Sequence, residues 1–414
     1  MKRVTFLFLA VIFCLYSVSG APMRNGMYRG IIERTDGMNI VFNFEILAEN
    51  RRQVLYIING EERMLVDQIE EQNDSVIISL PFYESSFRVK VSDDGDLHGS
   101  WIKKLAERDQ VLPFSADYNN PVRFITEKPT KFNVEGRWAV EFSSAGKTSM
   151  AVGEFRQLGS KVTGSFLTND GDYRFLEGVV SSDSLILSGF DGGFAVLFTA
   201  KVNGNNTLTN GKLFSGARGK SDWMATKDEN AELDDEYAIT RMREGKTSLS
   251  FSFEDIDGKK VSISDPRYRN KIVIIQILGS WCPNCIDETR YLISLYEKYH
   301  KQGVEFIALA YERTTDRERS IAALQRLRDR LKIPYTILWT GVTSSDAYLT
   351  EKTLPEVEKI KVFPTSIVVD HKGTVRTIHT GFSGPGTGMH YEEHKKKYES
   401  MLKDLIAEKK RSNN

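Results

Sequence analysis

The sequence predicts a multidomain chain. An all-β region, built as two meander units of barrel or sandwich type, precedes an α/β unit with a central mixed sheet flanked by helices. Three observations carry this. Over 22–227, short alternating apolar runs recur between turn signals such as Asp36-Gly37, Asn59-Gly60 and Asp94-Gly95. From 271 onward the pattern changes to nearly all-apolar strand runs alternating with 3.6-residue helical spacing. At 414 residues the chain also exceeds what one ordinary core organises.

Residues 1–20 read as a secretory signal. Lys2 and Arg3 precede an apolar run at 6–16 that is too short for a comfortable membrane span, and Ser17, Ser19, Gly20 and Ala21 supply small residues after it. The expectation is an exported protein of the periplasm or cell envelope, tied to a membrane only if this segment is kept. The first β-rich unit is expected at 22–125, with strands near 38–46, 54–58, 76–78 and 87–91. The second is expected at 131–227, with strands near 138–142, 151–155, 162–167, 184–188 and 195–202, and 126–130 as the link. Segments 73–80 and 182–189 resemble one another, a weak sign of internal duplication.

An acidic linker at 228–244 carries Asp228, Glu229, Glu232, Asp234, Asp235 and Glu236. The α/β unit, 245–410, opens with a hairpin around Asp257-Gly258. A buried strand follows at 271–278, then a helix at 285–302 stopped by Gly303. A strand at 304–310, a helix at 316–331 and a short strand at 335–339 come next. An added, partly helical segment spans 345–362. Two strands then pair across His371-Lys372-Gly373, and a helix at 390–409 closes the chain.

Hydrophobic residues make up 40% and charged residues 27% of the chain, and the formal net charge is zero. Without residues 1–20 the balance is 54 basic against 56 acidic groups, since Lys2 and Arg3 are lost from 56. No overall basic field exists to draw nucleic acid, which is excluded as a partner.

The chemistry sits in Trp281-Cys282-Pro283-Asn284-Cys285, at the junction of the buried strand and the long helix. The chain has three cysteines, and the third, Cys14, lies in the expected signal. Free amide N–H groups and the helix dipole stabilise an anion at Cys282, and the thiolate is the nucleophile of disulfide exchange. Pro283 suits a first helical turn, where its missing N–H costs nothing. Cys285 lies one turn on and less exposed. A zinc site is disfavoured because no second pair of ligands stands at finger spacing. A haem attachment is excluded because Ile286 stands where a histidine is needed.

These residues, with Phe251-x-Phe253, Asp257-Gly258-Lys259, Val261-x-Ile263 and the Phe363-Pro364-Thr365 step, resemble the TlpA/ResA-like thiol–disulfide oxidoreductases of the thioredoxin superfamily. The resemblance covers about 245–410. It implies a thioredoxin-like fold and a CxxC dithiol, Cys282 and Cys285, that cycles through a redox disulfide. It also implies that Glu288 exchanges the proton of Cys285, with its own carboxyl raised by burial. Pro364 would be cis, and Trp281, Pro283, Phe363 and Pro364 would form the surface where a substrate docks. The partners implied are a disulfide-bearing client protein and an upstream electron-donor protein, with the chain acting as a reductant.

No cofactor and no metal is expected. His390 and His394 stand at i, i+4, a spacing that can chelate, but no carboxylate with a defined role lies near them in sequence. The glycine-rich stretch 381–388 reads as a strand-to-helix turn near the dithiol. Two rival functions remain: a client-binding or assembly protein that uses its β-rich region, and a thiol peroxidase. The second is disfavoured because Gln276 and Gly279 stand where a peroxidase carries other residues.

Overall fold

The computed structural model describes residues 22–126 and 129–412. The signal reading for 1–20, with Cys14, lies outside the described residues, as do 127 and 128 of the expected link. Among the described residues no helix is long and apolar enough to cross a membrane.

The first sheet is a nine-stranded antiparallel meander running from Gly26–Glu33 to Asp109–Tyr118, which pair with each other. Its two edge strands, Glu62–Val66 and Gln68–Gln72, are separated in sequence only by Asp67. The second sheet runs from Gly136–Ser144 to Gly219–Lys227. Lys147–Leu158 pairs with both Gly136–Ser144 and Lys161–Thr168, so eight of its strands close into a ring and leave no open edge there. The two similar segments fall on Ser75–Ser79 and Ser184–Phe190, the sixth strand of each sheet. Asn73 and Ser182 both take left-handed backbone just ahead of them.

The two sheets share a core. Phe42, Phe44, Phe87 and Phe114 of the first pack with Phe190, Leu197 and Phe214 of the second. The rings of Phe42 and Phe190 stack at 4.3 Å. Buried Arg123 ties the units together. It donates to the Ile58 carbonyl at 2.5 Å and to the side chains of Asn43 and Asn59, and across the junction to the carbonyls of Ser188 at 3.0 Å and Glu177 at 3.3 Å. A guanidinium serves here because its planar fork of donors can satisfy several carbonyls at once.

The third sheet has seven strands. Ile272–Leu278 is an interior strand, parallel to Val304–Ala310 and antiparallel to Thr365–Val369. All seven of its residues are buried, as a strand covered on both faces requires. Side chains alternate. Ile272, Ile274 and Leu278 face the helices α1 (Pro283–Tyr299), α2 (Arg317–Leu331) and α4 (Met389–Ser412). Val273, Ile275 and Ile277 face a layer made by the short helix α3 (Leu349–Thr353) together with Leu249, Phe251, Leu354, Val357 and Ile360. The helices thus flank the sheet unequally, the three long ones on one side. Gln276 belongs to the α1 side by the same alternation, which sets a buried amide under the dithiol.

Candidate functional site

Cys282 is the N-cap of α1 and Pro283 its first residue. The Cys282 sulfur accepts a hydrogen bond from the Cys285 backbone N–H at 3.2 Å. A sulfur in that position meets an otherwise unpaired amide and the positive end of the helix dipole. Cys282 and Cys285 are joined as a disulfide, with Cα atoms 5.2 Å apart. Both are buried, at 4% and 1% exposure. Sequence reasoning anticipates the lower exposure of Cys285 but not how well Cys282 is covered.

Pro364 follows a cis peptide bond. The carbonyl oxygen of Phe363 lies 3.5 Å from the Cys282 sulfur. Trp281 is half-buried. Its indole N–H donates to the Tyr311 carbonyl at 3.0 Å, its ring meets Phe363 at 5.6 Å, and the Arg313 guanidinium stands 5.0 Å over it. Phe363 thus borders the sulfur, with Trp281 against its ring and Pro364 next in the chain, and Pro283 is buried at the start of α1.

Glu288 is buried, with 2% exposure. Its carboxylate accepts from the Gln276 side chain at 2.8 Å, and the same amide nitrogen reaches the Cys285 carbonyl at 3.2 Å. Thr289 completes the cluster, its single hydroxyl hydrogen within reach of the Gln276 side-chain oxygen at 3.0 Å and the Cys285 carbonyl at 2.7 Å. Burial pushes the Glu288 carboxyl up to about 7, against the opposing hydrogen bond from Gln276. A neighbouring carboxylate, Glu312, is also buried and raised by burial. It holds the turn before the dithiol by accepting from Ser280 N–H at 2.9 Å and Oγ at 2.7 Å.

The site also includes residues from the β-rich region, which sequence reasoning missed. Asn284, between the two cysteines, donates to the carbonyls of Asp172 at 3.2 Å and Phe382 at 3.0 Å. The Asp172 carboxylate accepts from Gly384 N–H and Arg174 N–H. Arg174, buried at 7% exposure, bridges Glu62 at 2.5 Å and Asp287 of α1 at 3.4 Å. From the first β-rich unit, buried Tyr83 joins the core that contains Cys282 and Cys285. Glu84 there pairs with Arg319 of α2 at 2.6 Å. The glycine-rich turn permits this docking: a Cβ on Gly386 would stand 2.7 Å from the Arg174 backbone. A cleft of about 270 Å³ remains beside the dithiol, lined by Asp172, Arg174, Phe175, Phe190, Pro283 and Asn284 among others.

Comparison with known proteins bears on the part of the chain that carries this geometry. Residues 245–378 match the AhpC/TSA family. The chain is 29% identical over 140 residues to thiol-disulfide oxidoreductase ResA of Halalkalibacterium halodurans, covering 34% of this chain and 69% of that protein. It is 38% identical over 74 residues to thiol-disulfide oxidoreductase ResA of Bacillus thuringiensis subsp. konkukian, covering 18% of this chain and 42% of that protein. The chain thus spans about two fifths of that second relative's length. Among solved structures it is similar to a thiol-disulfide oxidoreductase from Bacteroides fragilis, with 21% identity, a TM-score of 0.28, and coverage of 36% of this chain and 98% of that one. The β-rich region lies outside the matched family residues, and the segment bearing the dithiol is similar to thiol–disulfide oxidoreductases named ResA.

Proposed function

We propose that this chain is an exported protein-disulfide oxidoreductase that reduces disulfides of particular client proteins. The carrying observation is the Cys282 sulfur capping α1, paired with Cys285 and bordered by Trp281, Phe363 and cis Pro364. In the reduced chain the Cys282 thiolate attacks a client S–S bond. That bond breaks, one client thiolate leaves, and a mixed disulfide forms. Cys285 then loses its proton and attacks the Cys282 sulfur, releasing the second client thiolate. The client gains two electrons and the chain ends as the Cys282–Cys285 disulfide. A donor protein's dithiol resets it by the same exchange. The signal reading of residues 1–20 supports export, and an oxidising compartment makes such a donor necessary.

The burial of Cys282 favours a narrow client range. A folded client must present its disulfide to a residue of 4% exposure, in a core that Tyr83 of the first β-rich unit joins and beside Asn284, which bonds Asp172 of the second. This joins the reductase reading to the client-binding role of the β-rich region, since the same contacts that cover the sulfur shape what reaches it.

The direction of electron flow is tested by the potential of the Cys282/Cys285 couple against glutathione. A reductant is expected below about −200 mV, whereas a value near about −120 mV, that of a strong oxidant, overturns the reductant reading.

In this mechanism Glu288 takes the proton of Cys285 during resolution, with Gln276 linking the two residues. A carboxyl at about 7 is mostly protonated below neutrality and cannot accept. Resolution is therefore expected to accelerate as pH rises through about 7. Glu288→Gln should slow it about a hundredfold and flatten this rise, while leaving the first attack by Cys282 unchanged. Stopped-flow measurement of mixed-disulfide decay from pH 5 to 9 checks both statements. An unaltered profile in Glu288→Gln removes the residue from the proton path.

A further inference from the structure

Away from the dithiol, three side chains from three distant stretches of sequence converge. Glu236 comes from the acidic connector, His379 from the strand Val375–Thr380, and His394 from α4. One potential ligand atom from each lies within 4.8 Å of the others. The backbone fixes the approach of the connector, because the Thr380 N–H donates to the Glu236 carbonyl at 3.0 Å. We propose that Glu236, His379 and His394 form a binding site for one divalent d-block cation, with Zn²⁺ the best match to two imidazoles and a carboxylate.

The second observation is an orphaned ring. His379 has 2% exposure, yet neither ring nitrogen makes a hydrogen bond. Its Nε2 stands 3.2 Å from Glu236 Oε1, but not in a direction that completes one. Buried imidazole nitrogens are ordinarily paired. Two ligands of one tetrahedral Zn²⁺ at about 2.0–2.1 Å lie about 3.3 Å apart without bonding to each other, which matches this edge. His394, with 7% exposure, packs its ring 4.7 Å from that of His379.

The surroundings suit an ion. A cavity of about 20 Å³ is lined by all three residues and by His390. That is room for about one water, the usual occupant of a fourth position when three protein ligands bind. Tyr237 packs against His379 and Phe382 against His394, with ring centroids at 4.9 and 5.3 Å. A low-dielectric wall of this kind strengthens ion–ligand attraction. The pair that the spacing on α4 singles out, His390 and His394, is thus only half used; the other ligands arrive from a strand and a linker. A bound ion would clip the connector, and with it the β-rich region, to the last strand and last helix of the redox unit.

The test uses the chain without residues 1–20, which removes Cys14, and with Cys282 and Cys285 held as their disulfide, so that no thiolate can bind metal. Titration calorimetry with Zn²⁺ is expected to give one equivalent at micromolar affinity or tighter. Co²⁺ should give the visible absorption of a four-coordinate nitrogen/oxygen site without sulfur charge transfer. His379→Ala and His394→Ala should abolish binding. Glu236→Gln, at a partly exposed residue that leaves the fold intact by circular dichroism, should weaken it at least tenfold and remove the rise in Tm that Zn²⁺ gives the parent. No stoichiometric binding, or binding unchanged in Glu236→Gln and His379→Ala, overturns the proposal and leaves a buried ion pair.

Discussion

Cys282→Ser is expected to abolish disulfide exchange, lowering its rate by more than about three orders of magnitude. Cys285→Ser should behave differently, keeping the first attack and stopping at the mixed disulfide. The asymmetry follows from position on α1. Cys282 is the cap, its sulfur bonded to an amide N–H and 3.5 Å from the Phe363 carbonyl. Cys285 is inside the first turn, at 1% exposure, above the Gln276–Glu288 pair. In the proposed mechanism one sulfur meets the client and the other meets only its neighbour. Rapid-quench assays with a disulfide-bearing peptide separate the two variants. Residual turnover in Cys282→Ser, or an adduct on Cys285, would reverse the assignment of roles.

Arg174→Met carries the second large effect, on stability. The guanidinium lies among Glu62, Asp287 and Asp191, with Arg290 as the other cation on Asp287. Breaking a buried pair by removing one partner typically costs about 3–5 kcal/mol, because the remaining charge stays desolvated. Methionine fills a similar volume, so the loss reports charge more than packing. The pH dependence has a definite sign. Burial raises Asp287 and Asp191 even with Arg174 present, and raises Asp172 to about 7, with the Gly384 amide opposing and Asp287 adding. An acid raised in the folded state holds its proton there. Its contribution is full below its unfolded value near 4 and fades as pH rises through the folded one. Without Arg174 these carboxylates lose their compensating charge, so the variant should be hurt more at pH 8 than at pH 5. Urea denaturation at the two pH values measures this. Equal losses at both would show that the guanidinium acts by packing. Proteolysis within the connector 228–244 should also quicken, since Arg174 ties the β-rich region to α1.

The dithiol and its mounting were legible because their signals are local. A buried strand, Trp-Cys-Pro-Asn-Cys and a helical pattern occupy one continuous stretch, and each has a short-range physical meaning. Glu288 entered through the family resemblance, and its place three residues beyond Cys285 puts it on the same helix, where it is buried. The collar around the dithiol was not. Arg174 lies in left-handed backbone within a loop and meets its partners 112 and 113 positions away, so no periodicity marks it. Tyr83 follows the strand Ser75–Ser79 in a stretch that reads as an ordinary turn, yet it enters the redox core. Asn284 looks like filler between two cysteines until Asp172 and Phe382 accept its amide. The alternation of side chains predicted nine of the eighteen strands of the β-rich region, whereas the shared core around Phe42 and Phe190 depends on how two sheets meet, which alternation does not encode. The three long helices on one face of the third sheet belong to the same class of fact.

In the proposed mechanism a sulfur capping α1 opens another disulfide and its neighbour then closes on it. Reacting the reduced chain at neutral pH with a chromogenic aromatic disulfide tests this directly. The parent should release two equivalents of coloured thiolate and finish as the Cys282–Cys285 disulfide with no added mass. Cys285→Ser should release one equivalent and keep one reagent half on residue 282. A chain that reacts only after denaturation, or retains reagent on both cysteines, would contradict the account.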